Sequence, residues 1–193
     1  MTRRPLLEHF RSYVMARPEP VITQWFDGFD WNLEERELPP LPLDPVRHLP
    51  EVVAHAGGNE LALTQAFVDA ASDLCWMRSY TPEDFGQYFF DNYAHVELIG
   101  TKGHFASEKI AAGLVLYGPH IDYPDHWHVA EEVYIPMTGN GEWSSGGEPH
   151  RIRAAGDFIF HTTNLPHAIR CGQTPMLALW IWHGGDLAQK GNY

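Results

Sequence analysis

The sequence predicts a mainly-β fold, a single jelly roll or small barrel, preceded by an α-helical region. Up to about residue 95, apolar residues recur at the three- and four-residue spacing of amphipathic helices. Beyond that point they form short runs broken by Gly, Pro and Asp, as in strands joined by turns. About eight such runs suit a small barrel. We therefore expect a helical region over 1–95 and a β-barrel over 96–193.

Three segments of the first part predict helices, and a fourth helix start follows them. Apolar residues fill one face over 6–14. The second candidate covers about 44–56, and the third covers 61–77 with Asn59 as its cap. The run Thr-Pro-Glu-Asp at 81–84 begins the fourth, because Pro suits a first helical turn and acidic side chains suit the positive end of the dipole.

The stretch 38–45 contains four prolines and is expected to be an extended connector or a strap across the barrel. Since the apolar helix faces need covering, the helical region should pack on the barrel and cover its mouth. The predicted strands are 95–99, 110–117, 132–136, 142–145, 150–153, 157–160, 168–171 and 176–182.

Composition narrows the class of function. The formal charge of −12 argues against a protein that binds nucleic acid or anionic membranes, because such a protein needs a surface rich in Lys and Arg. It also fits a protein from a saline habitat or one with a cationic ligand. Cys75 and Cys171 are too few for a disulfide framework, and no apolar run approaches a signal peptide or a membrane span. A cytoplasmic protein is the expectation.

One group of residues indicates the chemistry of the protein. His126, His128, Glu132 and Tyr134 share the parity of one strand face, and His167 follows Glu132 by 35 residues and can join them from another strand. Neutral imidazole and carboxylate bind Fe, Zn, Mn, Co and Ni well. The residues therefore predict one divalent transition metal ion as cofactor, with its identity left open because such sites accept several metals.

The spacing His-x-His-x3-Glu-x6-Gly, which runs from His126 to Gly139, resembles the first motif of the cupins. Gly156 stands eleven residues before His167, which is the spacing of the second cupin motif. The resemblance implies a single cupin domain, a jelly-roll β-barrel, with the metal held by His126, His128, Glu132 and His167. The adjacent Glu131 has neither the motif spacing nor the parity.

Several turn residues of the two motifs differ here. His120 stands where the first motif begins with Gly. In the second motif, Thr162 and Asn164 replace a Pro and a Gly, and Cys171 replaces the final Asn. These differences put the loop geometry in question more than the metal ligation.

The pattern Tyr-x2-His-x-His-x3-Glu-x-Tyr, from Tyr123 to Tyr134, follows a helical first half. Together they resemble the bacterial cupin-type dimethylsulfoniopropionate (DMSP) lyases, particularly the Q-type enzymes, which come from marine bacteria. The resemblance is specific over about 117–183 and only architectural over 1–95. It implies a carbon–sulfur lyase that cleaves DMSP to dimethyl sulfide and acrylate by β-elimination.

The resemblance also assigns roles outside the metal ligands. Tyr134 is the proposed base that abstracts the α-proton, and its alternative role as a metal ligand stays open. Tyr123 shares or orients that proton. Tyr123 and Trp182 line the pocket for a small molecule with carboxylate and sulfonium groups, the cation lying against the aromatic faces. Trp180 shares the parity of Trp182, so one of the two tryptophans belongs to the core.

Two other functions use the same four metal ligands. The first is an iron cupin dioxygenase acting on a small thiol or aromatic substrate, which would not need Tyr134 as a base. The second is a non-catalytic cupin that binds a sugar or another small ligand. Many cupins dimerise through barrel strands, so a homodimer is compatible with the sequence.

The remaining histidines are interpreted as structural or exposed, since a lone histidine is seldom a ligand. His95 is expected at the surface or at a helix cap. Four others belong to the barrel half and are interpreted as structural, with a role as hydrogen-bond partners of the metal ligands left open: His104, His120, His161 and His183.

Overall fold

Two β-sheets and a layer of helices make up the structure, a computed structural model that describes residues 2–139 and 141–193. The α-helices are α1 (Arg4–Met15), α2 (Pro20–Phe26), α3 (Leu49–His55), α4 (Leu61–Ala70) and α5 (Pro82–Asn92). Short 3-10 helices occupy Asp44–His48, Gly58–Glu60 and Ala71–Asp73.

The strands begin immediately after α5. They are β1 (Tyr93–Gly100), β2 (Phe105–Ala106), β3 (Ile110–Tyr117), β4 (Asp122–His126), β5 (Glu131–Pro136), β6 (Gly141–Ser145), β7 (Arg151–Arg153), β8 (Ile159–His161), β9 (His167–Cys171) and β10 (Met176–His183). One sheet has the order β2-β1-β3-β10-β5-β8, and the other has the order β4-β9-β6-β7. β1 and β2 pair in parallel, and the other strand pairs described are antiparallel.

The six-stranded sheet is covered on both faces. Every residue of β3 is buried, as expected for a strand with a layer on each side. Leu114, Leu116 and Leu179 project to one face and share a buried cluster with Phe10 of α1 and Phe67 of α4. The helices therefore close the outer face of the sheet, while its inner face meets the four-stranded sheet.

The predicted fold class is confirmed: a helical region precedes a jelly-roll barrel, and each predicted strand is present with slightly shifted ends. β2, β4 and α2 were not predicted. The structure changes from helix to strand at Tyr93, close to the predicted boundary at residue 95. The division into 1–95 and 96–193 as separate units stays a prediction.

The helix predicted over 61–77 was too long. It ends at Ala70, and after the 3-10 turn the chain is extended, with Met77 pairing with His95 at the start of β1. The amide of Met77 donates to the carbonyl of His95 at 2.8 Å, so this sheet-like pairing replaces further helix. Asn59 is not the cap either, because the 3-10 turn Gly58–Glu60 leads into α4.

The helical region packs on the outer face of the six-stranded sheet, as its apolar stripes predict. It was also predicted to cover the barrel mouth, but most of it lies over the sheet face. Among the described residues that precede β1, those lining the cavity described below are the extended residues 77–80. Among the described residues, none of the helices combines the length and the apolar character needed to cross a membrane.

Gly113 of β3 is the residue whose replacement should damage the fold most directly. A Cβ at this position would lie 1.8 Å from the carbonyl oxygen of Val96 on β1, and backbone cannot rotate away as a side chain can. We expect Gly113→Ala to lower the free energy of unfolding by about 3 kcal/mol, since overpacking here must displace a paired strand. Urea-induced unfolding followed by circular dichroism measures this.

Gly172→Ala is the matched control, because a Cβ at Gly172 meets no atom within 4 Å. Its unfolding midpoint should stay close to that of the parent protein. Equal midpoints for both variants would contradict the clash at Gly113.

Candidate functional site

The four residues predicted to share one strand face do not lie on one strand, so the shared parity is wrong for His126 and His128 and holds for Glu132 and Tyr134 on β5. His126 ends β4 in the four-stranded sheet, and Glu132 lies on β5 in the six-stranded sheet. His128 sits in the turn that joins them. His167 begins β9 and pairs directly with His126. The chain crosses between sheets within this motif, which brings the side chains together at one end of the barrel.

Glu132 is the centre of the constellation. Its Oε2 lies 3.0 Å from Nε2 of His128 and 3.1 Å from Nε2 of His167. These three ligand atoms all lie within 4.8 Å of one another, and the three residues are buried. The ring of His126 packs against that of His167 at 4.0 Å, but its nitrogens are not part of this close group. His126 therefore stays a predicted fourth ligand.

The backbone fixes the orientation of all three imidazoles. Nδ1 of His126, His128 and His167 lies 3.0, 2.8 and 2.9 Å from a carbonyl oxygen two residues away in each case. A carbonyl only accepts hydrogen bonds, so each Nδ1 carries the proton. In a neutral ring Nε2 is then left with a lone pair, which is the state that binds a metal.

The donor set fits a divalent cation. Nε2 of His167 is buried, has no hydrogen-bond partner among the described residues, and faces a carboxylate oxygen that is itself an acceptor. Burial alone would raise the pKa of Glu132, but the neighbouring imidazoles, His128 first among them, hold that pKa well below its usual range. A buried cluster of two imidazoles and a carboxylate can bind a metal, and these ligand types leave its identity open.

A cavity of about 280 Å³ opens beside the cluster. All of the predicted site residues except His167 line it, including Tyr123, Tyr134 and Trp182. Further lining residues were not predicted and come from the stretch 77–80, from β1 and from the segment 187–191. The sequence thus indicated one wall of the cavity and missed the opposite one.

Tyr134 points into this cavity from β5, two residues beyond Glu132, and is almost fully buried. Burial, followed by the negative charge of Glu132, raises the pKa of Tyr134 well above its ordinary value. Its phenol is therefore protonated unless a positive charge lies close by. A cation bound at Glu132 would supply that positive charge and lower the pKa of the phenol.

Tyr123 is held between two side chains. Its ring stacks on that of His126 at 3.7 Å, and its hydroxyl lies 2.5 Å from the hydroxyl of Tyr80. Tyr80 was not among the predicted site residues. Burial raises its pKa to about 12. Tyr80 and Tyr123 thus form a hydrogen-bonded phenol pair in the cavity wall.

Two residues hold Glu132 from its sides. Trp182, opposite it on β10, donates its indole N–H to Oε1 at 2.6 Å. His161, opposite it on β8, places Nδ1 3.8 Å from Oε2 and bonds through Nε2 to Ser145 at 2.9 Å. His161 was interpreted as structural, and only the strand pairing reveals its nearness to Glu132.

Replacing Trp182 with Phe should weaken metal binding while leaving the ligands in place. The variant keeps an aromatic ring but loses the hydrogen bond that directs Oε2 toward the two histidines. Partners of this kind typically contribute 10- to 100-fold, so we expect about a tenfold lower zinc affinity. Competition with a fluorescent chelator measures it. An unchanged affinity would mean that Trp182 serves the cavity alone.

His95 was expected at the surface but lies in the cavity wall. Burial, aided by the nearby charge of Lys102, lowers its pKa to about 4, so the ring is neutral at physiological pH. Its alternation with Glu97 on β1, which also lines the cavity, is the signal that could have revealed it.

The altered turn residues retain glycine-like geometry. His120 and Asn164, which stand where the cupin motifs have Gly, both have φ of 58°. Asn and His occupy this left-handed region more readily than most residues. The turns around the site therefore keep their backbone conformation despite the changed sequence.

A jelly roll that carries buried His and Glu ligands beside a small cavity defines a single-domain cupin with a candidate metal centre. The profile of the dimethylsulfoniopropionate (DMSP) lyase family matches residues 21–178, which is most of the chain. The chain belongs to the DMSP lyase family.

Known members of this family resemble the chain closely. Dimethylsulfoniopropionate lyase DddQ of Ruegeria pomeroyi is 35% identical over 152 residues, 76% of each protein. The crystal structure of that lyase from strain DSS-3 superposes with a TM-score of 0.85 at 30% identity, covering 98% of this chain and 94% of the other. A chain from the structures of the DMSP lyases RdDddP and RnDddQII gives 0.89 at 29% identity, covering 99% and 98%.

Proposed function

We propose that the protein is a metal-dependent carbon–sulfur lyase that cleaves DMSP to dimethyl sulfide and acrylate, with Tyr134 as the base. The observation that carries the proposal is the position of Tyr134. Its side chain lies in the cavity on the same strand face as Glu132, whose carboxylate joins two imidazoles. Family membership supports the substrate, and the chemistry of the site supports the reaction.

The site residues suit a β-elimination. A divalent ion held by His128, Glu132 and His167, with His126 beside them, would attract the substrate carboxylate and stabilise the negative charge that develops on it. Tyr134 would have to be deprotonated first, under the positive field of that ion, and its phenolate Oη would then accept the α-proton while the electron pair of that C–H bond forms the Cα=Cβ double bond. The Cβ–S bond breaks, its electron pair leaves with sulfur as neutral dimethyl sulfide, and acrylate remains.

The aromatic lining suits the other end of the substrate. Tyr80 and Tyr123 line the cavity with their rings at a steep angle to each other, and a sulfonium is attracted by aromatic rings. Trp182 uses its N–H on Glu132, so only its ring is free for this contact. Tyr123, paired with Tyr80, is the proposed partner that orients or shares the proton taken by Tyr134.

The direct test is DMSP cleavage without oxygen. Protein stripped with a chelator and reloaded separately with Fe, Zn, Mn, Co or Ni is incubated with DMSP, and headspace dimethyl sulfide and dissolved acrylate are measured. We expect both products in equal amounts from the reloaded protein and little from the stripped one. Metal-loaded protein that yields neither product would refute the proposal, and oxygen uptake with another substrate would favour an oxygenase.

A further inference from the structure

The opening of the cavity carries lysine side chains in a chain that is otherwise acidic. Among the described residues that line the cavity, the exposed ones are Lys102, Ala188 and Lys190, so these mark where the cavity opens to solvent. We call this place the cavity mouth. The sequence has a formal charge of −12 and contains three lysines, the third being Lys109. Two of the three lysines therefore stand at the cavity mouth.

Their contacts place both ammonium groups at the edge of the cavity. Lys102 Nζ donates to the carbonyl of Ala188 at 3.2 Å, which joins the loop after β1 to the segment 187–191. The charge of Lys102 reaches the cavity wall, because it adds to the effect of burial in lowering the pKa of His95. Lys190 Nζ lies 4.9 Å from the ring centre of Tyr80, which also lines the cavity.

Nearby carboxylates leave much of this positive charge in place. Lys190 pairs with Asp84 at 3.0 Å, whereas Lys102 forms no ion pair among the described residues and has the carbonyl of Ala188 as its partner. Glu97 lines the cavity, but it is buried and its Oε1 accepts the main-chain N–H of Lys102 at 2.7 Å, not the ammonium. One of the two cations at the cavity mouth is thus free to attract an anion.

The cavity mouth lies outside the group of residues that could bind a metal. His128, Glu132 and His167 are buried, and the two lysines are exposed. The segment 187–191 connects the two places, because a Cβ at Gly191 would lie 3.8 Å from Cδ2 of His126. An anion held by the lysines would therefore be on the way to the candidate metal centre and not at it.

We propose that Lys102 and Lys190 form an anion-binding site at the cavity mouth that takes a small carboxylate. The ligands are acrylate as it leaves and the carboxylate end of DMSP as it enters, a choice that rests on the proposed function. Charges of one sign around a cleft with low-dielectric walls raise the local concentration of an oppositely charged ligand. The same charges repel a sulfonium, so DMSP enters with its carboxylate first.

The first test uses metal-free protein, in which no ion at Glu132 can bind the carboxylate. Protein stripped with a chelator and isotope-labelled at the lysine Cε is titrated with sodium acrylate at constant ionic strength. The three lysine signals are followed by NMR and assigned with three Lys→Gln variants. Lys109 is the internal control, since it is exposed but does not line the cavity. Acrylamide, which has a similar shape and no charge, is the control ligand.

We expect the signals of Lys102 and Lys190 to move saturably with acrylate and to stay in place with acrylamide. The Lys109 signal should not move with either compound. Unmoved signals at the cavity mouth, or an equal movement of Lys109, overturn the inference. The titration does not depend on turnover. If the metal-loaded protein failed to cleave DMSP, the proposed function would fall while the titration still decided whether the lysines bind a carboxylate.

The second test separates the charge of Lys190 from the packing of its segment. Lys190→Gln removes the charge and the ion pair, whereas Asp84→Asn breaks the same ion pair and keeps the charge of the lysine. Affinity for acrylate is measured on the metal-free variants from the proton signals of acrylate. The double variant Lys102→Gln/Lys190→Gln should lose about tenfold, the lower end of such field effects. Asp84→Asn and Lys109→Gln should lose nothing.

A loss in Asp84→Asn equal to that in Lys190→Gln would show that packing of the segment matters and not the charge, and would overturn the role of Lys190. Added sodium chloride gives a further check, because salt screens exposed charges. It should weaken acrylate binding to the parent protein and have little effect on the double variant. Equal salt dependence in both proteins would contradict an anion site at the cavity mouth.

Discussion

Tyr134→Phe is expected to abolish DMSP cleavage while the metal content stays at the level of the parent protein. The substitution removes only the hydroxyl, and Tyr134 is packed within the cavity, so the fold should tolerate it. Loss of a general base costs about 10² to 10⁴-fold, and we expect a kcat loss of about 10³-fold or more. Headspace dimethyl sulfide and elemental analysis of the same sample measure the two quantities.

Tyr13→Phe is the control for this experiment. Tyr13 is also buried, and its hydroxyl donates to the carboxylate of Glu60 at 2.9 Å, but it lies on α1 away from the cavity. The activity of the Tyr13→Phe variant should match that of the parent protein. If Tyr134→Phe loses metal along with activity, Tyr134 is a ligand and the base must be sought elsewhere, with Tyr123 the first alternative.

Glu132→Gln should remove the metal itself. The carboxylate supplies the only negative charge in the close group of His128, Glu132 and His167 that the described residues form. An amide of the same shape keeps the packing but not the charge. Because loss of an outer partner already costs 10- to 100-fold in affinity, loss of this ligand should cost at least about 10²-fold. The metal affinity measured by chelator competition and the rate of DMSP turnover should fall together.

The neighbouring Glu131 provides the matched control. Glu131→Gln makes the same chemical change one residue away, on the opposite face of β5, where the side chain is half-buried near His183. Metal affinity should not change. A similar loss in both variants would mean that general acidity near the barrel mouth, and not a ligand at Glu132, attracts the ion.

The group of residues that could bind a metal was predictable because motif spacing survives even when the local geometry is misread. His128, Glu132 and His167 were identified from their spacing, although the assumed single strand is in fact two strands of different sheets. What spacing does not encode is the neighbour across a strand pair. Trp182 and His161 reach Glu132 only through the register of β10 and β8, which depends on how the whole sheet assembles.

The fold, like the site, was predicted in part. Apolar periodicity identified the helices and strands that bury a full face, such as α1 and β3. It failed where tertiary pairing overrides local preference, as at Met77, whose helical surroundings give way to a bond with His95. The extended stretch 77–80 that replaces the end of this helix supplies part of the cavity wall, including Tyr80.

The anchoring of the three imidazoles by main-chain carbonyls also bears on how this sequence can diverge. The anchors belong to Pro124, Ala130 and Leu165, yet their side chains take no part in the hydrogen bonds. A requirement for metal binding at these rings would therefore act on the path of the backbone and not directly on the identity of these three side chains. A search for distant homologues should accordingly weight turn conformation above residue identity around the ligands.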